Sequence, residues 1–180
     1  MSTKRAEGKY RYGGDVSGFP VFLLITSVLT FILMMLGAYT KAVGAGLSCP
    51  DWPKCYGVWV PFLHPEMLAN SNYAAGYSGL QIFVEWAHRG LAMIVGILIL
   101  IAAVWAWKKI DDGRVKRSLG AAVVLLPFQI ILGGLTVTEN LQPLIVTSHL
   151  ATATVIMISL TVATTVVYIT KGGDRNEHQT

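Results

Sequence analysis

Residues 83–107 read FVEWAHRGLAMIVGILILIAAVWAW. The stretch opens with an acid, an imidazole and a guanidinium (Glu85, His88 and Arg89) and then carries no charge through Trp107. A helix needs about 20 mostly apolar residues to cross the hydrocarbon core of a bilayer. The quoted run extends over about 81–107, and three others match it at about 19–39, 118–138 and 147–169. Of the 180 residues, 53% are hydrophobic and 13% charged, whereas soluble domains carry roughly 25% charged residues. Four runs of this length leave almost no polar face for a water-soluble helical core. The expected fold class is all-α: an integral membrane four-helix bundle of two helical hairpins, with residues 1–180 as one transmembrane domain.

The formal net charge is +4, and its distribution argues against nucleic acid as a partner. Lys4, Arg5, Lys9 and Arg11 precede the first span. Lys108, Lys109, Arg114, Lys116 and Arg117 lie between the second and third, and Lys171 and Arg175 follow the fourth. The opposite loops hold only Lys41 and Lys54. Basic residues sorted this way mark the cytoplasmic side. Both termini are therefore expected in the cytoplasm and the loop of about 41–80 outside. The first span is too long for a signal-peptide core and reads as an uncleaved anchor.

Both cysteines, Cys49 and Cys55, fall in that outer loop. Disulfides persist in oxidising exterior compartments, so a Cys49–Cys55 bridge is expected, with Pro50 and Pro53 holding the loop bent. The pair reads either as a staple or as a redox-active couple facing the exterior. A metal site there lacks a second ligand pair, His64 being the nearby histidine. Trp52, Trp59, Tyr73 and Tyr77 suit a loop lying at the membrane interface. The other connections are short, so the third and fourth spans pair as an antiparallel hairpin.

The end of the first span, LGAYT at residues 36–40, is echoed by LGGLT at 132–136 near the end of the third. Each is followed by a returning span with a histidine near its outer end, His88 or His149. The chain thus reads as two related hairpins in parallel orientation.

Ionisable side chains inside a span are costly and point to function. Glu85 and His88 are three residues apart and share a helix face; Arg89, four from Glu85, is its neighbour too. At 1.5 Å per residue, His88 lies roughly 10 Å past Gln81, inside the membrane. His149 lies at similar depth on the fourth span, and Ala92 and Ala153 leave space one turn on. Paired histidines on facing helices are a way to hold haem iron in a bundle. Packing histidines, a zinc site short of ligands and a proton relay through Glu85 and His88 are the alternatives. Glu85 is either the ion partner of Arg89 or a carboxylate beside a macrocycle, available for proton transfer. Arg89 and Lys41 are candidates for propionate binding, although Arg89 can equally snorkel to the interface. Gln129 places an amide in the membrane that needs a partner. Pro127 can kink its helix, and Gly133 and Gly134 allow close approach of a helix or ring.

GAGLSCPDWPKC at 44–55, EWAHRG at 85–90, and QIILGGLTV at 129–137 followed by His149 together resemble the haem A synthase family (CtaA in bacteria, Cox15 in mitochondria). The resemblance covers nearly the whole chain from first to fourth span. It implies an oxidoreductase that converts a methyl group of haem O to a formyl group by successive hydroxylations, giving haem A for terminal oxidases. It also implies a prokaryotic plasma membrane location, a haem b cofactor, and haem O synthase and a membrane electron donor as partners. By resemblance, His88 and His149 ligate haem iron, Glu85 is catalytic, and Cys49 and Cys55 are the outer-loop pair. Typical members have eight helices in two related halves, one holding haem b and the other the substrate. A four-helix chain is therefore expected to self-associate, at least as a dimer. Ala38 and Lys41 depart from the family pattern, which has glycine and arginine there. A non-catalytic bis-histidine cytochrome or haem carrier is the alternative function, and a transporter or assembly subunit without haem is a third.

Overall fold

Local signals in the chain start and stop each helix of the computed structural model, which describes residues 18–69 and 76–177. Lys4, Arg5, Lys9, Arg11 and Tyr73 lie outside the described residues. Proline opens helix α1 (Phe19–Ala42), where its missing N–H has no bond to lose. The first loop contains a single 3-10 turn (Pro61–Leu63) and a short helix α2 (Pro65–Ala69). Helix α3 (Gly79–Lys109) begins with a reciprocal cap: Ser78 Oγ accepts from Gln81 N at 3.2 Å, and Gln81 Oε1 accepts from Ser78 N at 2.9 Å. Buried Asp112 caps helix α4 (Gly113–Thr138), its Oδ1 accepting from Arg114 N at 2.7 Å. Helix α4 continues through Pro127, and helix α5 (Pro143–Glu177) starts on a proline.

The four long helices, α1, α3, α4 and α5, are each long and apolar enough to cross a membrane. The sequence placed their cores correctly but stopped some ends short; α1 runs on to Ala42 and α4 begins at Gly113. They pack in a ring in which α1 touches α3 and α5, and α4 touches α3 and α5. Connection order makes neighbours antiparallel throughout, so a pseudo-twofold axis along the bundle maps α1 onto α4 and α3 onto α5.

The apolar core fills the end of the bundle near the α3–α4 turn. Phe19, Leu23, Ile99, Leu119, Leu160 and Val167 are buried there, with Ala102, Ala103, Ala106, Ala122 and Ala163 letting the backbones approach. Trp105 packs its ring against Phe19 and Phe22, at centroid distances of 5.5 and 5.7 Å. Toward mid-bundle, Ser27 of α1 and Thr164 of α5 share a hydroxyl bond of 3.0 Å. The opposite end, which carries the disulfide loop, is polar inside.

The sequence echo proves longer in structure than in sequence. Helix α1 ends with Ala45 N donating to Thr40 O at 2.9 Å and Gly44 N to Lys41 O at 3.1 Å. Helix α4 ends with Leu141 N donating to Thr136 O at 2.8 Å and Asn140 N to Val137 O at 3.2 Å. Both are Schellman ends, which need a left-handed residue just past the cap. Gly44 (φ 68°) and Asn140 (φ 51°) supply it.

Candidate functional site

His88 is set in place by the two elements on which α3 begins. The cap at Ser78 fixes the start of the helix, and Gln81 Nε2 donates to Val43 O at 2.8 Å, tying that start to the end of α1. The imidazole then lies on Gly37 of α1. A Cβ at Gly37 would stand 2.8 Å from His88 Cε1, closer than real side chains come. The second hairpin repeats the arrangement: a Cβ at Gly133 of α4 would stand 3.2 Å from Cε1 of His149 on α5. Each histidine thus presents the same ring edge to the glycine of its own echo motif. His88 on α3 and His149 on α5 thus belong to diagonally opposite helices of the ring.

Each ring has a backbone contact, His88 with Leu33 and His149 with Gln129. Gln129 Nε2 contacts His149 Nε2 at 3.4 Å, the long edge of hydrogen-bond range. His88 Nδ1, His149 Nδ1 and Gln129 Oε1 are buried without a hydrogen-bond partner among the described residues. Buried polar atoms are ordinarily paired. A zinc-type ion would need about four protein donors, and the described residues contain no group of three or more His, Cys, Asp or Glu arranged to hold a metal. Iron within a macrocycle brings its own nitrogens and needs only axial imidazoles. Two glycine-seated histidines, one on each hairpin, fit that donor set.

Glu85, one turn before His88, is 3% exposed. Its Oε1 accepts from Arg89 Nη2 at 2.5 Å. Its Oε2 accepts from Ser48 Oγ at 2.9 Å and from Cys49 N at 2.8 Å. Arg89 Nη2 also donates to Cys49 O at 3.1 Å, and Nη1 to the carbonyls of Lys54, at 2.6 Å, and Asp51. Cys49 and Cys55 are disulfide-bonded. One guanidinium therefore holds the whole disulfide loop onto α3 and also makes the ion pair with Glu85 that was one of the sequence-based readings.

Ser48 and Tyr56 belong to this cluster and were missed from the sequence. Tyr56 OH donates to Ser48 O at 2.9 Å, and Asp51 accepts from Tyr56 N at 2.6 Å and Gly57 N at 3.0 Å. Burial, then the negative charge of Glu85, raises the Tyr56 phenol above its ordinary range, keeping it a donor. A short polar residue beside a cysteine carries no pattern that would single it out. Lys41 is exposed on the last turn of α1. Trp52 is half-exposed, and its ring lies on α4: a Cβ at Gly134 would stand 3.4 Å from two of its atoms.

Residues 20–179 match the sequence model of the COX15-CtaA family, described as "Cytochrome oxidase assembly protein". The chain is 38% identical over 132 residues to "Heme A synthase" of Shewanella oneidensis, covering 71% of this chain and 39% of that protein. It is 31% identical over 131 residues to "Heme A synthase" of Alkalihalophilus pseudofirmus, covering 72% and 39% respectively. It is also 29% identical over 145 residues to "Protoheme IX farnesyltransferase" of Halobacterium salinarum, covering 81% of this chain and 28% of that protein. The chain spans about two-fifths of the length of the two haem A synthases.

Proposed function

Because the chain belongs to the COX15-CtaA family, we propose that it is a multi-pass membrane oxidoreductase of haem A formation, oxidising the methyl group of haem O to a formyl group. The observation that carries this reading is the pair of imidazoles, each seated on the glycine of its own echo motif, within a chain that matches the family over residues 20–179.

In this reading His88 and His149 are the residues that would hold haem iron. Gly37 and Gly133 keep the walls behind the imidazoles bare, and Ala92 and Ala153 leave room one turn deeper. A bound haem b supplies a redox-active iron. Gln129 orients His149 through its amide. Glu85 takes the catalytic role, its carboxylate accepting a proton released beside the substrate methyl. Arg89 and Ser48 hold that carboxylate still and balance its charge. Lys41 is the cation for a haem propionate, since the terminal nitrogens of Arg89 are spent on the loop.

Three features of the wider setting belong to the same proposal. Both termini face the cytoplasm, on the Lys and Arg asymmetry. Haem O synthase is a partner, because proteins named for farnesylating protohaem contain a region similar to this chain; a membrane electron donor is the other. The chain works as a homo-oligomer, at least a dimer, because one histidine pair gives one site for two haems. Crosslinking in native membranes that yields only monomer sinks the oligomer.

Expression beside a haem O producer, followed by mass analysis of extracted haems, tests the reaction. Haem A or a hydroxylated intermediate is expected, and is expected to vanish in Glu85→Ala. Bound haem without turnover in the unmodified chain instead identifies a non-catalytic cytochrome or carrier.

A further inference from the structure

The reading above leaves one large aromatic side chain without a task. Trp52 occupies the apex of the loop closed by the Cys49–Cys55 disulfide. The carbonyls on either side of the Trp52–Pro53 pair, those of Asp51 and Lys54, are both held by Arg89 Nη1. Behind the apex, the Asp51 carboxylate accepts from Tyr56 N and Gly57 N. The loop is thus pinned on both shoulders to α3, and its apex is carried across to α4. There the indole rests on Gly134, which is buried.

Gly134 follows Gly133, the seat of His149. One residue along a helix is about 1.5 Å of rise and 100° of turn. The indole therefore lies at nearly the height of the His149 seat, turned around α4. The helices flanking α4 are α5 and α3. The loop that Arg89 pins to α3 thus lays its indole across onto α4, one residue from the seat of His149.

We propose, resting on the haem reading above, that Trp52 is a positioning residue for the macrocycle: its indole closes the disulfide end of the space between His88 and His149 and packs on the edge of the bound ring. Arg89 acts through Trp52 by fixing the loop that carries it. An indole is amphipathic and large, suited to retaining a flat ligand at a membrane interface.

The test uses the full chain in detergent, loaded with haem b, with Trp52→Ala, Trp52→Phe and Gly134→Leu compared with the unmodified protein. Haem release to excess apomyoglobin gives retention, and circular dichroism in the Soret region reports an aromatic ring coupled to the haem. Disulfide content and thermal unfolding monitor the fold. Trp52→Ala is expected to release haem about tenfold faster, with a changed Soret dichroism, while Trp52→Phe stays within about twofold of the unmodified chain. Gly134→Leu, whose side chain reaches beyond the 3.4 Å contact that a Cβ alone would make with the indole, displaces the ring without removing it and is expected to fall between them. Unchanged release and dichroism in a folded Trp52→Ala chain overturn the proposal and leave Trp52 as a strut between hairpins, with the haem reading intact. If Trp52→Ala fails to form the disulfide, Gly134→Leu decides by the same two readouts. An unmodified chain that takes up no haem b removes both the functional reading and this proposal.

Discussion

Gly44 and Asn140 hold the same left-handed backbone at the same point of two helix ends, seven residues after the glycines that seat His88 and His149. A left-handed conformation burdens an L-residue with roughly 1–2 kcal/mol that glycine escapes, asparagine being among the more tolerant. Asn140→Gly is accordingly expected to leave stability unchanged or raise it by up to about 1 kcal/mol. Gly44→Ala is expected to lose about 1–2 kcal/mol. Unfolding in detergent monitored by circular dichroism measures both; a destabilised Asn140→Gly would show that the asparagine side chain does more than permit the turn.

The two histidine seats differ in tightness, and alanine substitution should expose the difference. An added methyl meets His88 Cε1 at 2.8 Å from position 37 but His149 Cε1 at 3.2 Å from position 133. Gly37→Ala is expected to reduce haem content per chain more than Gly133→Ala, read from the Soret absorbance of protein purified after haem loading. Equal losses would mean that His88 moves aside freely.

The buried Glu85–Arg89 pair predicts a coupled response. Removing one partner of a buried ion pair strands the other, at roughly 3–5 kcal/mol. Glu85→Gln and Arg89→Gln should each destabilise strongly, and the double substitution by less than their sum. Arg89→Gln has a second expected effect, because three loop carbonyls lose their donor: the Cys49–Cys55 bond should be reduced faster by dithiothreitol. A bond equally slow to reduce in Arg89→Gln would show that the loop holds its shape without the guanidinium.

At the far end of the bundle, a hydrogen bond from the Arg114 side chain holds the Asp112 carboxyl below its ordinary range. The ionised form therefore favours the folded state at every pH above the unfolded carboxylate value of about 3.9, and that benefit is lost as pH falls from there through the lower folded value. The melting temperature of the unmodified chain should fall below about pH 4 more steeply than that of Asp112→Asn. Between pH 5 and pH 7 the gap between them should stay constant.

The sequence exposed the parts of this molecule that are written in single residues or in periodic pattern. Apolar runs delivered the four helices, and the echo marked the two helix ends whose glycines seat His88 and His149. The Glu85–Arg89 contact was one of two readings, and the structure contains it together with bonds from Ser48 and Cys49. The destination of Arg89 was not legible, since its acceptors are backbone carbonyls whose directions depend on loop conformation rather than on residue type. For the same reason Trp52 read as an interface aromatic, although its ring lies against Gly134.

The pseudo-twofold relation has a consequence for any flat ligand held between the two histidines. Rotation about the bundle axis exchanges the histidines, and with them the two faces of a plate between them. The helices by themselves would then accept the plate right way up or flipped with nearly equal free energy. A porphyrin with distinct edges would populate both orientations, and only one could bring a chosen methyl to Glu85. The degeneracy is broken by the part of the chain that has no counterpart in the other hairpin: the long loop pinned by Arg89, whose one-sided placement gives an otherwise even-handed bundle its sense of direction.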